Sequence, residues 1–140
     1  MTYTHVIRVR YGECDRQKVV FNANYWAYCD DAVDHWIRTS LARVQGIAGG
    51  TVEITDLGFD FMLKACTGTW HRAITFGETV SVLCAIERWG TTSFDVKVDM
   101  QVEDVSCFVA IITYVSVGVD SRTPSPVPEF VREALKPLSQ

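Results

Sequence analysis

A chain of 140 residues, 48% apolar and 21% charged, has the size of one domain spanning residues 1–140 and can bury a single core. Thirteen Lys and Arg against seventeen Asp and Glu leave a net charge of −4 with no basic cluster, which argues against a nucleic-acid partner. The longest uncharged stretch, 105–119, is too short and too β-branched for a membrane span, and the opening MTYTHVIRVR carries charges where a signal peptide needs an apolar run.

In chain order, residues 5–11 alternate as a strand does. Tyr25, Tyr28, Cys29, Ala32, Val33, Trp36, Ile37, Leu41 and Val44 then follow the i, i+3, i+4, i+7 spacing of a buried helix face. Asn22 or Asn24 is expected to cap its start and Gly46 to end it. Such a helix is about 30 Å long, so it is expected to run through the domain. Phe59, Phe61 and Leu63 alternate next, then Val80, Val82, Cys84 and Ile86, then Phe94, Val96, Val98, Met100 and Val102. Residues 107–117 are more continuously apolar, as in a strand buried on both faces. Turns are expected at 76–78, 89–91 and 103–104. The TPSPVPEF segment forbids a central strand, and Pro128 is placed to open a short terminal helix that Pro137 stops. The order predicts an α+β fold of one long helix and a mostly antiparallel sheet. One helix covers one sheet face, so a homodimer or homotetramer built through sheet or edge contacts is expected.

The segment 11–25, YGECDRQKVVFNANY, carries the chemistry. It sets Asp15 in a loop that leads to a helix N-terminus, where backbone N–H groups lack intrahelical partners and the dipole adds about half a positive charge. A carboxylate near such donors is the equipment of acyl transfer: a base or nucleophile, and a hole for the oxyanion. Five scattered cysteines without a C-x-x-C pair, and three His without zinc-finger spacing, argue against a structural zinc site and a secreted disulfide framework. The chain therefore reads as cytoplasmic, with no metal or cofactor called for. There is no G-x-S-x-G elbow, and Cys29 on the helix's apolar face has no base beside it.

Cys14-Asp15, Val19-Val20 and Tyr25 match a T/C-D-x-x-G-V-V-x-x-x-x-Y motif. On that basis the chain resembles the hot-dog-fold thioesterases, specifically the 4-hydroxybenzoyl-CoA thioesterase family. Gly77-Glu78-Thr79-Val80, the stretch 86–94 and the proline-rich 124–128 resemble further parts of the pattern, in order. The resemblance implies a hot-dog fold, an antiparallel sheet wrapped around one central helix. It implies hydrolysis of an aromatic or short to medium-chain acyl-CoA, with Asp15 attacking the thioester or activating water and the Asn22 N–H polarising its carbonyl. The acyl group would enter a pocket between two subunits, with Val20, Phe21, Tyr25, Ser93 and Arg88 as expected substrate contacts. Three positions depart from the pattern: Lys18 stands where many relatives have Gly, Asn22 where some have His, and Gly90-Thr91-Thr92 where some place Arg and Lys. Arg88, Arg72 or Arg122 is then left to hold the nucleotide end of coenzyme A.

Other residues have plainer readings beside a functional one. Glu13 is a solvated loop acid or a neighbour that raises the Asp15 pKa. Asp30, Asp31 and Asp34 are surface charges, with Asp31 the best exception, and His35 and His71 are single. Trp26, Trp70 and Trp89 suit a core or interface, or a platform for an aromatic acyl group. Two alternatives keep the fold: a non-hydrolytic module that binds acyl-CoA or an acyl carrier, and a hydratase or dehydratase, which would need a His paired with a carboxylate.

Overall fold

The computed structural model describes residues 3–47 and 49–137; the rest of the expected 1–140 domain lies outside the described residues. Strand β1 (Tyr3–Arg8) leads through a 3-10 turn at Tyr11–Glu13 into helix α1 (Asn22–Val44). Strands β2 (Asp60–Trp70), β3 (Thr79–Trp89), β4 (Ser93–Val102) and β5 (Val105–Val117) follow, and helix α2 (Glu129–Ala134) closes the described chain. The sheet order is β1-β3-β4-β5-β2, with every neighbouring pair antiparallel. This is the α+β hot-dog arrangement, a sheet around one long helix.

Alternation explains why the sheet accepts the helix. Val80, Val82, Cys84, Val96, Val98, Ala110 and Ile112 are buried on one face, in one core with Tyr25, Cys29, Ala32, Val33, Ile37 and Leu41 of α1. Complete burial of each Val, Leu or Ile side chain is worth about 1.5–3 kcal/mol. Gly46, at φ +81°, ends α1 in the left-handed region, and the Ile47 N–H donates back to the Ala42 carbonyl at 2.9 Å.

Several expectations need correction. Neither asparagine caps α1: Phe21 holds the N-cap position and no side chain bonds there. The Asn24 amide donates instead to the Glu13 carbonyl at 2.8 Å. β1 stops at Arg8, because the chain turns at Tyr11. Leu63 is 61% exposed, since β2 is an edge strand and its register slips between Leu63 and Ala65. β5 is buried on one face only; Val109, Ile111, Thr113 and Val115 on the other are half-covered. Among the described residues no helix is long and apolar enough to cross a membrane.

Candidate active site

The loop between β1 and α1 is a small hairpin. Cys14 bridges Val20, and the Asp15 N–H donates to the Val19 carbonyl at 2.9 Å. The Lys18 N–H closes the tip on the Asp15 carbonyl at 3.0 Å. One Asp15 carboxylate oxygen accepts the Gln17 N–H at 2.8 Å, a turn bond that aspartate makes readily. Its other oxygen takes no hydrogen bond among the described residues. Lys18 adopts φ +64°, a left-handed conformation that glycine takes without steric cost. The pairing sets Asp15 beside Val19, three residues before Asn22. As the first residue of α1, Asn22 has no intrahelical partner for its N–H.

Asp15 is exposed in the single chain and borders a cavity of about 610 Å³ lined by Tyr11, Gly12, Cys14, Arg16, Lys18 and Phe76. The Tyr11 and Phe76 rings meet edge to face at 5.9 Å and form its apolar rim. Arg16 and Lys18 have no ion-pair partner among the described residues, so the cavity carries two free cations beside one carboxylate. Burial and the adjacent Glu13 and Asp15 charges push the Cys14 thiol up, which keeps it protonated.

Two acids anchor this loop. The Glu13 carboxylate accepts hydrogen bonds from the Arg10 guanidinium at 2.9 Å and the Tyr28 hydroxyl at 2.9 Å. The Glu13 carbonyl takes the Phe21 N–H at 3.0 Å. Burial raises the Glu13 carboxyl, but the bonds from Arg10 and Tyr28 outweigh it and hold the group below its ordinary value. Glu13 is therefore a clasp between loop and helix. Glu78 plays the same part from the sheet. Arg72 pairs with it at 2.6 Å, the Thr75 N–H and hydroxyl each donate at 2.8 Å, and its carboxyl falls to about 2. The turn it fixes carries Phe76, whose N–H donates to the Lys18 carbonyl at 3.1 Å.

The expected site residues separate into three groups. Asp15 lies on the cavity and Asn22 and the exposed Phe21 stand at the helix start beside its hairpin. Val20 and Tyr25 are buried beneath them; the Val20 N–H donates to Ile74, and the Tyr25 hydroxyl accepts the Ile74 N–H at 3.1 Å. Ser93 and Arg88 meet each other at 3.3 Å, with Arg88 paired to Asp95 at 2.9 Å. They sit where β3 ends and β4 begins, about 30 Å along β3 from its start, so one chain does not bring them to the carboxylate. Trp26 and Trp70 cluster with Tyr25 and Phe108, and Trp70 remains 44% exposed. Gly68 makes that cluster possible, because a Cβ there would lie 2.8 Å from the Phe108 ring and 3.0 Å from Trp26.

Phe76 and the clasp roles of Tyr28 and Glu78 are not legible in the sequence, because α1 and the 76–78 turn are remote from Asp15 along the chain; Glu13, a candidate neighbour of Asp15, proves to be the other half of the clasp. Asp31 and His35 are exposed on α1; Asp31 pairs with His5 at 2.9 Å, and the Tyr3 hydroxyl bonds His35. Among the described residues no three His, Cys, Asp or Glu side chains are grouped to hold a metal ion.

A sheet around a central helix, with a carboxylate-bearing hairpin leading to the helix N-terminus, defines a hot-dog protein. The chain belongs to the thioesterase-like superfamily, whose family model matches residues 9–135. Solved structures that share the fold include the following three. A gentisyl-coenzyme A thioesterase is 20% identical, with a TM-score of 0.78 over 96% of this chain and 100% of that one. A 1,4-dihydroxy-2-naphthoyl-CoA thioesterase from Synechocystis is 18% identical, with a TM-score of 0.77 over 96% of both. A hypothetical protein from Staphylococcus aureus in complex with CoA is 14% identical, with a TM-score of 0.82 over 100% and 89%. A search of curated protein sequences finds no significant match.

Proposed function

We propose that this chain is an acyl-CoA thioesterase acting in the cytoplasm on an aromatic or short to medium-chain acyl-CoA. The observation that carries the reading is the Asp15 carboxylate, one oxygen unbonded, on a cavity beside the unpartnered N-terminus of α1. In that reading Asp15 attacks the thioester carbon to form an anhydride that water then cleaves, or takes a proton from water that attacks directly. The Asn22 N–H, at the positive end of α1, receives the negative charge that develops on the carbonyl oxygen. Coenzyme A leaves as a thiolate, a good leaving group, so an ordinary carboxylate suffices. Tyr11 and Phe76 supply the apolar wall, and Arg16 and Lys18 face the diphosphate of the nucleotide end.

The names of the gentisyl- and dihydroxynaphthoyl-CoA thioesterases, and the resemblance to the 4-hydroxybenzoyl-CoA branch, favour an aromatic acyl group. The acyl pocket forms in a homodimer or homotetramer joined through the free edge of β2, where Met62, Leu63 and Trp70 are exposed. Val20, Phe21 and Tyr25 shape it from the helix side; Ser93 and Arg88 reach substrate from a second subunit.

One observation favours a second reading, a non-hydrolytic acyl-CoA-binding module: Asp15 is already employed as the acceptor of its own turn. Thiol release measured over a panel of acyl-CoAs separates the two. Hydrolysis of at least one member, abolished by Asp15→Asn, is the expected result; tight binding without thiol release overturns the enzymatic reading.

A further inference from the structure

A second concavity lies at the other end of α1, between the C-terminal half of that helix, β1 and α2. Its volume is about 490 Å³, within the range of small-molecule pockets at about 300–1,000 Å³. Trp36, Ile86 and Leu135 give it apolar walls. Its charges are one-sided: Arg43 and Lys136 line it, beside His35, and no Asp or Glu does, in a chain of net −4. Lys136 is engaged by Glu133 at 2.8 Å, whereas Arg43 donates to the Ala134 carbonyl at 3.1 Å and has no carboxylate partner among the described residues.

Two further features belong to a built site. Ser40, only 4% exposed, lines the cavity and sets its hydroxyl among the apolar walls. His35 is fixed by the Tyr3 hydroxyl on its Nδ1, which leaves Nε2 open. Tyr3 is braced in turn by His5, at 3.4 Å, and His5 by Asp31, at 2.9 Å. Burial first, then the Cys84 and Asp31 charges, raises the Tyr3 hydroxyl to about 12, so it stays a proton donor.

We propose that this cavity is a second binding site, separate from the Asp15 cavity, for an amphiphilic carboxylate. Its apolar body lies against Trp36, Ile86 and Leu135, and its carboxylate meets Arg43, Ser40 and His35. One free cation, Arg43, matches a single negative charge better than a phosphate dianion. Ser40 is eighteen residues along α1 from Asn22, about 27 Å away, so occupancy here does not require the thioesterase reading to hold.

Titration of the full chain with octanoate, and with octan-1-ol as its uncharged counterpart, tests the site by calorimetry. Saturable one-to-one octanoate binding is expected, with octan-1-ol about tenfold weaker or worse. Ser40→Leu, which fills the cavity, removes binding; Arg43→Gln, on the exposed rim, weakens octanoate about tenfold and leaves octan-1-ol unchanged. Asp15→Asn leaves both affinities unaltered. No saturable binding, equal affinity for acid and alcohol, insensitivity to Arg43→Gln, or loss of binding in Asp15→Asn overturns the proposal.

Discussion

The Tyr28 hydroxyl donates to the Glu13 carboxylate at 2.9 Å, joining the second turn of α1 to the loop that bears Asp15. Hydrogen bonds to a charged group contribute about 1.5–3 kcal/mol, and this one is half-buried, so Tyr28→Phe should cost about 1–2 kcal/mol in urea unfolding. The loop loses its clasp while Asp15 remains. Acyl-CoA turnover should therefore fall severalfold at a temperature where the variant is fully folded, and unchanged turnover there would show that the clasp is structural alone.

Asp15→Asn should lower turnover by a factor of about 10²–10⁴, the range for losing a positioned general base. The asparagine side-chain oxygen still accepts the Gln17 N–H, so the turn survives and the unfolding midpoint should shift little. Stability held and turnover lost is the signature of a chemical role; a comparable loss of both would make Asp15 a turn residue.

Glu78 sets an acid limit. Its carboxyl sits at about 2 when folded, below its ordinary value of 4.5, because Arg72 and Thr75 bond the ionised form. A depressed folded pKa contributes stability that is complete above the unfolded value and is lost as pH falls from about 4.5 toward 2. Glu78→Gln should flatten that part of the stability–pH curve, measured by thermal melts across the acid range. A curve as steep as that of the parent chain would assign the acid limit to other carboxylates.

The sequence and the fold agree where periodicity is strong. The α1 face from Tyr25 to Leu41 and the alternation of β4 are fixed by spacing alone, since both elements bury one face in one core. Agreement fails where tertiary placement decides. Leu63 carries the right residue type for a core strand, but β2 lies at the sheet edge with a register slip. Asn22 and Asn24 have capping side chains, yet the Glu13 carbonyl claims Asn24. In the site, Asp15 was legible from its motif, whereas the bonds of Tyr28 to Glu13 and of Phe76 to Lys18 join residues remote along the chain and leave no local signal.

Lys18 occupies the left-handed region at φ +64°, which costs an ordinary residue about 1–2 kcal/mol. Glycine relieves that strain but gives back about 0.4–1 kcal/mol by loosening the unfolded chain. Strain is the larger effect, so Lys18→Gly should stabilise the protein by about 0.5–1 kcal/mol in urea unfolding. The same change removes a cation from the Asp15 cavity. A raised KM for acyl-CoA at unchanged kcat is expected if Lys18 faces the diphosphate, whereas unchanged KM would leave that role to Arg16 alone.

The free edge of β2 decides whether the acyl pocket needs two chains. An eleven-residue edge strand with Met62 at 51% and Leu63 at 61% exposure offers both backbone partners and apolar surface to another copy. Leu63→Lys puts a charge on that edge without entering the core, so the single chain should melt normally. Sedimentation should show the parent chain as a dimer or tetramer and the variant shifted toward monomer, with thioester hydrolysis falling in proportion and recovering at high protein concentration. If the variant dissociates yet keeps full activity, the pocket is complete within one chain and the Asp15 cavity alone must hold the acyl group.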